Sequence, residues 1–78
     1  MTDPDEQLLC IVGIVSRMGE LSGLQPDQDI YEAGLISVNA LPLLMELEDR
    51  FGVTIPDDLY INARTPRALD ELVTSLRQ

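Results

Sequence analysis

The sequence predicts an all-α fold: a bundle of three main helices plus one short helix, with a long loop between the first and second helix. Three segments support this prediction, because in each of them apolar residues recur at the spacing of a helix face. These segments also carry proline, glycine or capping residues near their ends. Between the first two lies a stretch without any period, interrupted by glycine, proline and aspartate.

The first helix is predicted to begin at the run Asp3-Pro4-Asp5-Glu6. Asp3 can accept a hydrogen bond as the N-cap, Pro4 suits the first helical position, and Glu6 has the spacing of a capping box. Gly19 is the predicted end of this helix. The predicted buried face consists of Leu8, Leu9, Ile11, Val12, Val15 and Met18.

The segment from Gly19 to about Ile36 is predicted to be a long loop. Gly23, Pro26 and Gly34 interrupt it, while scattered apolar residues can anchor it to a core. A loop of this length in a compact domain generally has a task or is held against the core. The predicted anchors are Leu24, Ile30 and Leu35.

Two aspartates in this loop, Asp27 and Asp29, suggest a calcium-binding loop, but their surroundings argue against one. An EF-hand loop needs glycine at its sixth position and a bidentate acid at its twelfth. Those two positions hold Glu32 and Val38. Histidine is absent and Cys10 is the only cysteine, so the usual zinc sites are excluded and no metal site is predicted.

The second helix is predicted to begin within Ser37–Leu41 and to end at Phe51–Gly52, where the glycine is the C-terminal cap. Pro42 limits the start, because proline lacks an N–H group and clashes with the carbonyl four residues earlier. We therefore expect the regular helix to begin near Asn39, a good cap, or the backbone to be distorted within Val38–Pro42. The predicted buried face consists of Leu41, Leu44, Leu47 and Phe51.

The rest of the chain is predicted to hold the short helix and the last main helix. Val53–Pro56 is an extended link, and Asp57–Tyr60 is long enough for one helical turn. Thr65-Pro66 is typical of a helix start, with threonine as the cap and proline at the first position. The predicted buried stripe of this helix consists of Leu69, Leu72, Val73 and Leu76. At this length we expect residues 1–78 to form a single domain.

The composition limits the partners that this chain can bind. Fourteen acidic residues, five arginines and no lysine give a formal net charge of −9. Such a surface repels nucleic acid and anionic membranes, and it attracts basic protein surfaces. Without histidine the common acid–base and nucleophilic pairs cannot form, which argues against an enzyme. The acidic N-terminus, the short apolar runs and the lone cysteine predict a cytoplasmic location.

Two runs of the sequence resemble the acyl carrier proteins. The first is Glu32-Ala33-Gly34-Leu35-Ile36-Ser37-Val38, and the second is Leu44-Met45-Glu46-Leu47-Glu48-Asp49-Arg50-Phe51-Gly52-Val53-Thr54-Ile55-Pro56-Asp57. Members of this family are small acidic helical bundles in which a serine at the start of the second helix carries a 4′-phosphopantetheine arm. The resemblance extends over nearly the whole chain, including the order of the helices, the long first loop and the Thr-Pro start of the last helix.

The resemblance implies that Ser37 is the attachment residue and that the chain holds an acyl or aminoacyl group as a thioester on the covalent arm. It also implies that the carrier is a monomer with no catalytic residues of its own. Separate enzymes would act on it: a phosphopantetheinyl transferase, an acyl- or amino-acid-activating ligase and downstream transferases with basic surfaces. On local sequence alone, a plain helix N-cap is the more ordinary interpretation of Ser37. The whole-chain resemblance favours attachment, since Ser16, Ser22 and Ser75 lack the same flanking residues.

The residues beside Ser37 depart from the family pattern. Ile36 stands where members very often have an acid, and Asn39 and Pro42 stand where typical fatty-acid carriers have further acids. One interpretation is neutral drift on an exposed face, and the other is a changed set of partners. The second interpretation predicts a dedicated pathway, aminoacyl or specialised acyl or polyketide, rather than bulk fatty-acid synthesis. The predicted partner-binding residues are Ile36, Val38, Met45, Glu48 and Asp49.

A second class of function stays open at this point, namely an acidic helical interaction module that has no prosthetic group. Ile36 keeps this alternative open, because it breaks the family pattern directly before the serine. The two classes differ in one observable, the presence of a covalent group on Ser37.

Overall fold

The computed structural model describes residues 4–77 of the chain. Asp3, the predicted cap of the first helix, lies outside the described residues. Within them the chain is all helical, as predicted, with no strand. The elements are α1 (Pro4–Gly19), a 3-10 turn (Ser37–Asn39), α2 (Ala40–Phe51), α3 (Asp57–Asn62) and α4 (Pro66–Leu76).

The core lies between α1, α2 and α4, and the long loop closes one side of it. Ile11 and Val15 of α1 are completely buried, as are Leu47 of α2 and Val73 of α4. The three predicted loop anchors, Leu24, Ile30 and Leu35, are all buried in the same cluster. Burial of apolar side chains is the main source of stability here, because the chain has no disulfide.

Two leucines that were predicted to face the core are exposed instead. Leu9 is 66% exposed and Leu41 is 62% exposed, so both predictions were wrong. At about 100° per residue, Leu41 lies about 120° around the helix axis from Leu47. Leu9 has the same relation to Val15 in α1, where it also lies about 120° away. Ile14 and Leu43, which were not predicted to be buried, complete the two faces.

The end of α1 is formed by two residues rather than by a single capping glycine. Gly19 is the last helical residue, as predicted, but the left-handed conformation belongs to Glu20, with φ of 54°. The Leu21 N–H then donates to the Ser16 carbonyl at 2.8 Å. Gly19 has a packing role: a Cβ there would lie 2.8 Å from Cδ1 of Leu35. Its lack of a side chain therefore lets the loop approach the end of α1 just before Ser37.

The start of α2 confirms the prediction made from Pro42. A 3-10 turn comes first, in which the Asn39 N–H donates to the Ile36 carbonyl at 2.9 Å and the Ala40 N–H donates to the Ser37 carbonyl. The α-helix begins at Ala40, so Pro42 is its third residue. Proline is tolerated there, since the N–H groups of the first turn have no partner within the helix.

The predicted end of α2 and the predicted start of α4 are also confirmed. Gly52 adopts the left-handed conformation, with φ of 65°, and its N–H donates to the Glu48 carbonyl. At the start of α4, the Thr65 hydroxyl accepts a hydrogen bond from the Ala68 N–H at 3.0 Å. The short helix α3 runs two residues beyond its predicted end. Leu69 and Val73 of the α4 stripe are buried, and Leu72 and Leu76 are half-buried against the core.

Polar contacts hold the long loop against the link between α3 and α4 and the start of α4. The Ile30 N–H donates to the Arg64 carbonyl at 2.8 Å, and the Arg67 N–H donates to the Pro26 carbonyl at 2.9 Å. Arg64 also pairs with Asp29, with Nε 2.7 Å from Oδ2. These contacts join residues more than thirty positions apart in sequence. The path of the loop is therefore fixed by two arginines outside it, Arg64 after α3 and Arg67 in the first turn of α4.

The two aspartates that suggested a calcium loop have arginine partners. Arg67 Nε lies 2.7 Å from Oδ1 of Asp27, while Asp29 accepts hydrogen bonds from the Arg64 side chain and from the N–H groups of Tyr31 and Glu32. The Arg64 guanidinium beside Asp29 holds the pKa of that carboxyl below its usual value. The described residues contain no group of three acidic, histidine or cysteine side chains able to hold a metal.

We predict that Asp29→Asn reduces the free energy of unfolding at neutral pH, and that this deficit disappears in acid. A lowered folded-state pKa stabilises the fold above the unfolded-state pKa, about 3.9 for aspartate. That contribution is lost as the pH falls through the folded-state value, so the two proteins should become alike once the pH lies below it. Asparagine keeps an oxygen for the Tyr31 and Glu32 N–H groups, so the variant removes only the ion pair with Arg64.

Urea unfolding of both proteins between about pH 7 and pH 2 measures this difference. The matched control is Asp27→Asn, which changes the same charge in a pair whose aspartate side chain is 74% exposed. We expect a smaller deficit for this control, because exposed ion pairs contribute little. An Asp29→Asn deficit that is the same at both ends of the pH range contradicts the assignment.

Candidate attachment site

Ser37 is exposed at the first residue of the 3-10 turn, directly ahead of α2. The residue before it, Ile36, has an extended backbone, with φ of −90° and ψ of 151°. Leu35 is buried in the core, and its N–H donates to the Ile30 carbonyl at 3.0 Å. The chain thus leaves the core at Leu35 and presents the Ser37 hydroxyl to solvent two residues later.

The turn that contains Ser37 is held by side chains on both sides. The Asn39 side-chain amide donates to the Met18 carbonyl in the last turn of α1, at 3.3 Å. The Tyr60 hydroxyl of α3 donates to the Ala40 carbonyl at 2.6 Å. Tyr60 is buried, and burial raises its pKa well above the usual value, so the hydroxyl keeps its proton and remains a donor.

Four exposed apolar side chains lie beside Ser37 in the sequence or in the first half of α2, and we call them the apolar flank: Ile36, Val38, Leu41 and Met45. Three of them, Ile36, Val38 and Met45, were predicted to lie at the surface, with exposures of 59–71%. Leu41 joins them because it is one helical turn before Met45 on the same side of α2. The spacing of Leu41 from Leu44 also fits a buried face, so no pattern in the sequence indicated this exposure.

The two acids that were predicted to bind partners have different surroundings. Glu48 is half-buried, and its Oε2 accepts a hydrogen bond from the Ile55 N–H at 2.8 Å. It therefore holds the link between α2 and α3. Asp49 is exposed. On the same helix Glu46 lies 3.5 Å from Arg17 of α1, which joins these two helices at the surface.

The residues around Ser37 fit a covalent phosphodiester. Its hydroxyl is accessible, and the first N–H groups of a helical turn have no partner within the helix, so they favour an anion. No acidic residue lies in the first turn of either the 3-10 turn or α2. A phosphate on Ser37 would therefore meet no like charge from this part of the chain.

Comparison with protein families now identifies the class. A family described as a phosphopantetheine attachment site matches residues 6–73 of the chain. The chain belongs to this family, that of the acyl carrier proteins and related phosphopantetheine carriers. It is thus a carrier domain rather than an enzyme, and the cofactor of its class is a covalently attached 4′-phosphopantetheine. The family match does not favour an interaction module without a prosthetic group.

Two known proteins show the extent of the similarity. The chain is 34% identical over 50 residues to the mitochondrial acyl carrier protein of Dictyostelium discoideum. This match covers 62% of the chain and 42% of that protein, so the chain spans less than half of the relative's length. The NMR structure of hexanoyl acyl carrier protein from the actinorhodin polyketide synthase of Streptomyces coelicolor superposes with a TM-score of 0.69. It is 28% identical, and the match covers 97% of this chain and 91% of that one.

Membrane insertion has no support among the described helices. Across residues 4–77, none combines the length and the apolar character that a bilayer span requires.

We predict that Glu48→Ala lowers the free energy of unfolding by about 1.5–3 kcal/mol, the range for a hydrogen bond to a charged group. The reason is that the Ile55 N–H loses its acceptor, Oε2 of Glu48. Asp49→Ala, which removes an equal charge from an exposed neighbour, should change stability by less than about 0.5 kcal/mol. Urea unfolding measures both variants, and equal effects would show that the Glu48 contact adds nothing to stability.

Proposed function

We propose that Ser37 carries the 4′-phosphopantetheine arm and that this chain serves a dedicated acyl, polyketide or aminoacyl pathway rather than bulk fatty-acid synthesis. The observation that carries the first part is the exposed hydroxyl at the start of a helical turn, within Gly34-Leu35-Ile36-Ser37-Val38. The bound arm would supply a thiol on which cargo is held as a thioester. The chain itself would supply the hydroxyl, a defined position for it and a surface that partner enzymes recognise.

The other serines are poorer candidates for attachment. Ser16 lies half-buried within α1, and its carbonyl is already engaged by the Leu21 N–H. Ser22 lies in the long loop and Ser75 in the last turn of α4, so neither precedes the start of a helix. Ser37 is exposed and is the first residue of a helical turn that leads directly into α2.

The case for a dedicated pathway rests on the surface beside Ser37. Ile36 and Val38 of the apolar flank are the direct sequence neighbours of the serine, and no acid lies in the first turn of α2. An enzyme that recognises acids beside the serine would find no partner there, whereas one with an apolar contact surface would. Buried apolar contacts would then set much of the residence time, and the outlying acids would speed encounter with basic surfaces. The superposition on a carrier from a polyketide synthase agrees with a specialised acyl or polyketide role.

We propose that the predicted partner-binding residues contact partner enzymes, and that Glu48 contributes less than the others. Ile36, Val38 and Met45 are exposed and can contact an enzyme without rearrangement, and Leu41 extends this surface. Asp49 is exposed and can meet a basic residue, while Glu48 offers less because its carboxylate holds the Ile55 N–H. The proposed partners are a phosphopantetheinyl transferase, an activating ligase and downstream transferases. The monomeric state, the cytoplasmic location and the single domain over residues 1–78 remain predictions.

We predict that Ser37→Ala abolishes the mass gain seen when the chain is produced together with a phosphopantetheinyl transferase. The alanine removes the nucleophilic oxygen, while helicity should stay nearly unchanged because Ser37 makes no side-chain cap in this turn. Intact-mass spectrometry gives the result, with Ser75→Ala as a matched control that should still be modified. A mass gain in the Ser37→Ala protein would place the arm elsewhere and refute the assignment.

We predict that Ile36→Asp increases loading by fatty-acid synthase enzymes and decreases loading by the native ligase of a dedicated pathway. The substitution restores an acid beside the serine and removes apolar contact area. Ile36→Asn is the matched control, because it removes the same apolar contact without adding charge. Loading rates of the three proteins are compared with both kinds of enzyme. If fatty-acid synthase enzymes use the native chain as well as the aspartate variant, the apolar flank is neutral drift and the dedicated-pathway proposal is wrong.

A further inference from the structure

We propose that Tyr60 and Asn39 are positioning residues for the modification of Ser37, because they hold its turn from the α3 side and the α1 side. This inference rests on the proposed function, in which Ser37 is the attachment residue. It assigns a task to two hydrogen bonds that helix formation does not require. Neither side chain would touch the reacting atoms, so both would act through the backbone of the turn.

The turn needs support because it has little of its own. None of the residues of the 3-10 turn, Ser37–Asn39, is buried, and no side chain caps the turn at Ile36. Its two backbone hydrogen bonds, from the N–H groups of Asn39 and Ala40, close a single short turn. Short 3-10 segments have poorer hydrogen-bond geometry than α-helices. The position of the Ser37 hydroxyl therefore depends on contacts made by neighbouring residues.

Tyr60 supplies the support from α3. Its ring is buried, and its hydroxyl lies 2.6 Å from the Ala40 carbonyl, three residues after Ser37. The Ala40 carbonyl can also accept an N–H bond within α2, since a carbonyl oxygen has two lone pairs. The bond thus joins a rigid, buried ring to the residue at which the 3-10 turn becomes α-helix.

Asn39 supplies the support from α1. It occupies the cap position of α2 but makes no capping bond there. Its amide instead donates to the carbonyl of Met18, which lies in the last turn of α1. Carbonyls in the last turn of a helix lack a partner within that helix, so this bond satisfies an otherwise open acceptor.

The same contact gives a physical reason for asparagine at a position where typical fatty-acid carriers have an acid. A carboxylate has only acceptor atoms at neutral pH and cannot donate to the Met18 carbonyl. The amide at Asn39 can donate, and it adds no charge beside Ser37. Asparagine at this position therefore suits the attachment of the turn to α1.

The test measures modification of the unmodified chain by a phosphopantetheinyl transferase with coenzyme A. Tyr60→Phe removes only the hydroxyl, and Asn39→Ala and Asn39→Asp both remove the donor, with and without an added charge. If a variant lets the turn sample other conformations, only a fraction of the molecules presents Ser37 correctly. The KM for the carrier should then rise by the inverse of that fraction, while kcat stays within about twofold. One hydrogen bond corresponds to a rise in KM of about twofold to tenfold.

Amide hydrogen exchange of the unmodified chain provides a readout that needs no enzyme. Exchange at the Asn39 and Ala40 N–H groups should accelerate by a similar factor in Tyr60→Phe and in Asn39→Ala. The matched control is Thr65→Ala, which removes the cap of α4 and lowers stability without touching the turn. Its KM and its exchange rates at Asn39 and Ala40 should match those of the native chain. Asn39→Gln, which keeps an amide donor, should recover part of the lost KM.

Several results would overturn the proposal. An unchanged KM in both Tyr60→Phe and Asn39→Ala would leave the two bonds with a purely structural role. A rise in KM for Thr65→Ala as large as that for Tyr60→Phe would assign the effect to general destabilisation. A rise confined to Asn39→Asp would assign it to the added charge. If Ser37→Ala is still modified, the proposed function fails on its own, and the exchange rates still decide whether these bonds hold the turn.

Discussion

The attachment of the long loop to the link between α3 and α4 and to the start of α4 is the constraint on which the rest of the structure depends. Residues 20–36 have no repeating structure of their own, yet they deliver Leu35 to the core and Ser37 to the surface. Two arginine–aspartate pairs and two backbone hydrogen bonds keep this segment in place. Without them the loop would keep its three buried apolar anchors and its internal hydrogen bonds, but no polar contact to the α3–α4 link or to α4 would fix its path.

The same contacts explain how a chain with a net charge of −9 uses its five arginines. Arg64 and Arg67 hold the loop, Arg17 lies beside Glu46 of α2, and Arg77 donates to Gln7 of α1 at 2.9 Å. Four of the five thus contact groups that belong to other elements of the fold. These arginines connect different elements of the fold, and the excess of acids gives the surface its negative potential. Such a surface suits transient encounters with basic enzymes, where charge raises the rate of association.

The site combines accessibility with order, two properties that generally oppose each other. A serine that must enter another protein's active site has to be exposed, and an exposed turn makes few contacts of its own. In this chain the order comes from neighbouring residues: Leu35 is buried before the turn, Asn39 bonds to α1, and Tyr60 bonds to the residue after it. The side chains of the apolar flank are exposed and are not needed to hold the turn, so they are available to partners.

The sequence by itself determined those features that depend on residues close together along the chain. These include the helices, the start of α2 just before Pro42, its end at Gly52 and the start of α4 at Thr65-Pro66. They also include the loop anchors and the exposed serine ahead of α2. Local rules suffice there, because caps, prolines and helical spacing act over a few residues. The family resemblance added the role of the arm, which no local rule contains.

Only the tertiary structure decided the features that depend on contacts between distant residues. Leu9 and Leu41 have helical spacing but point away from the core, because the buried side of a helix is set by the elements that pack against it. Glu48 is predicted to bind partners, and only the structure shows that its carboxylate also accepts a hydrogen bond from the Ile55 N–H. The bond from Asn39 to Met18 spans 21 residues, and that from Tyr60 to Ala40 spans 20. Such pairs leave no periodic pattern in the sequence, since the fold must form before the two groups meet.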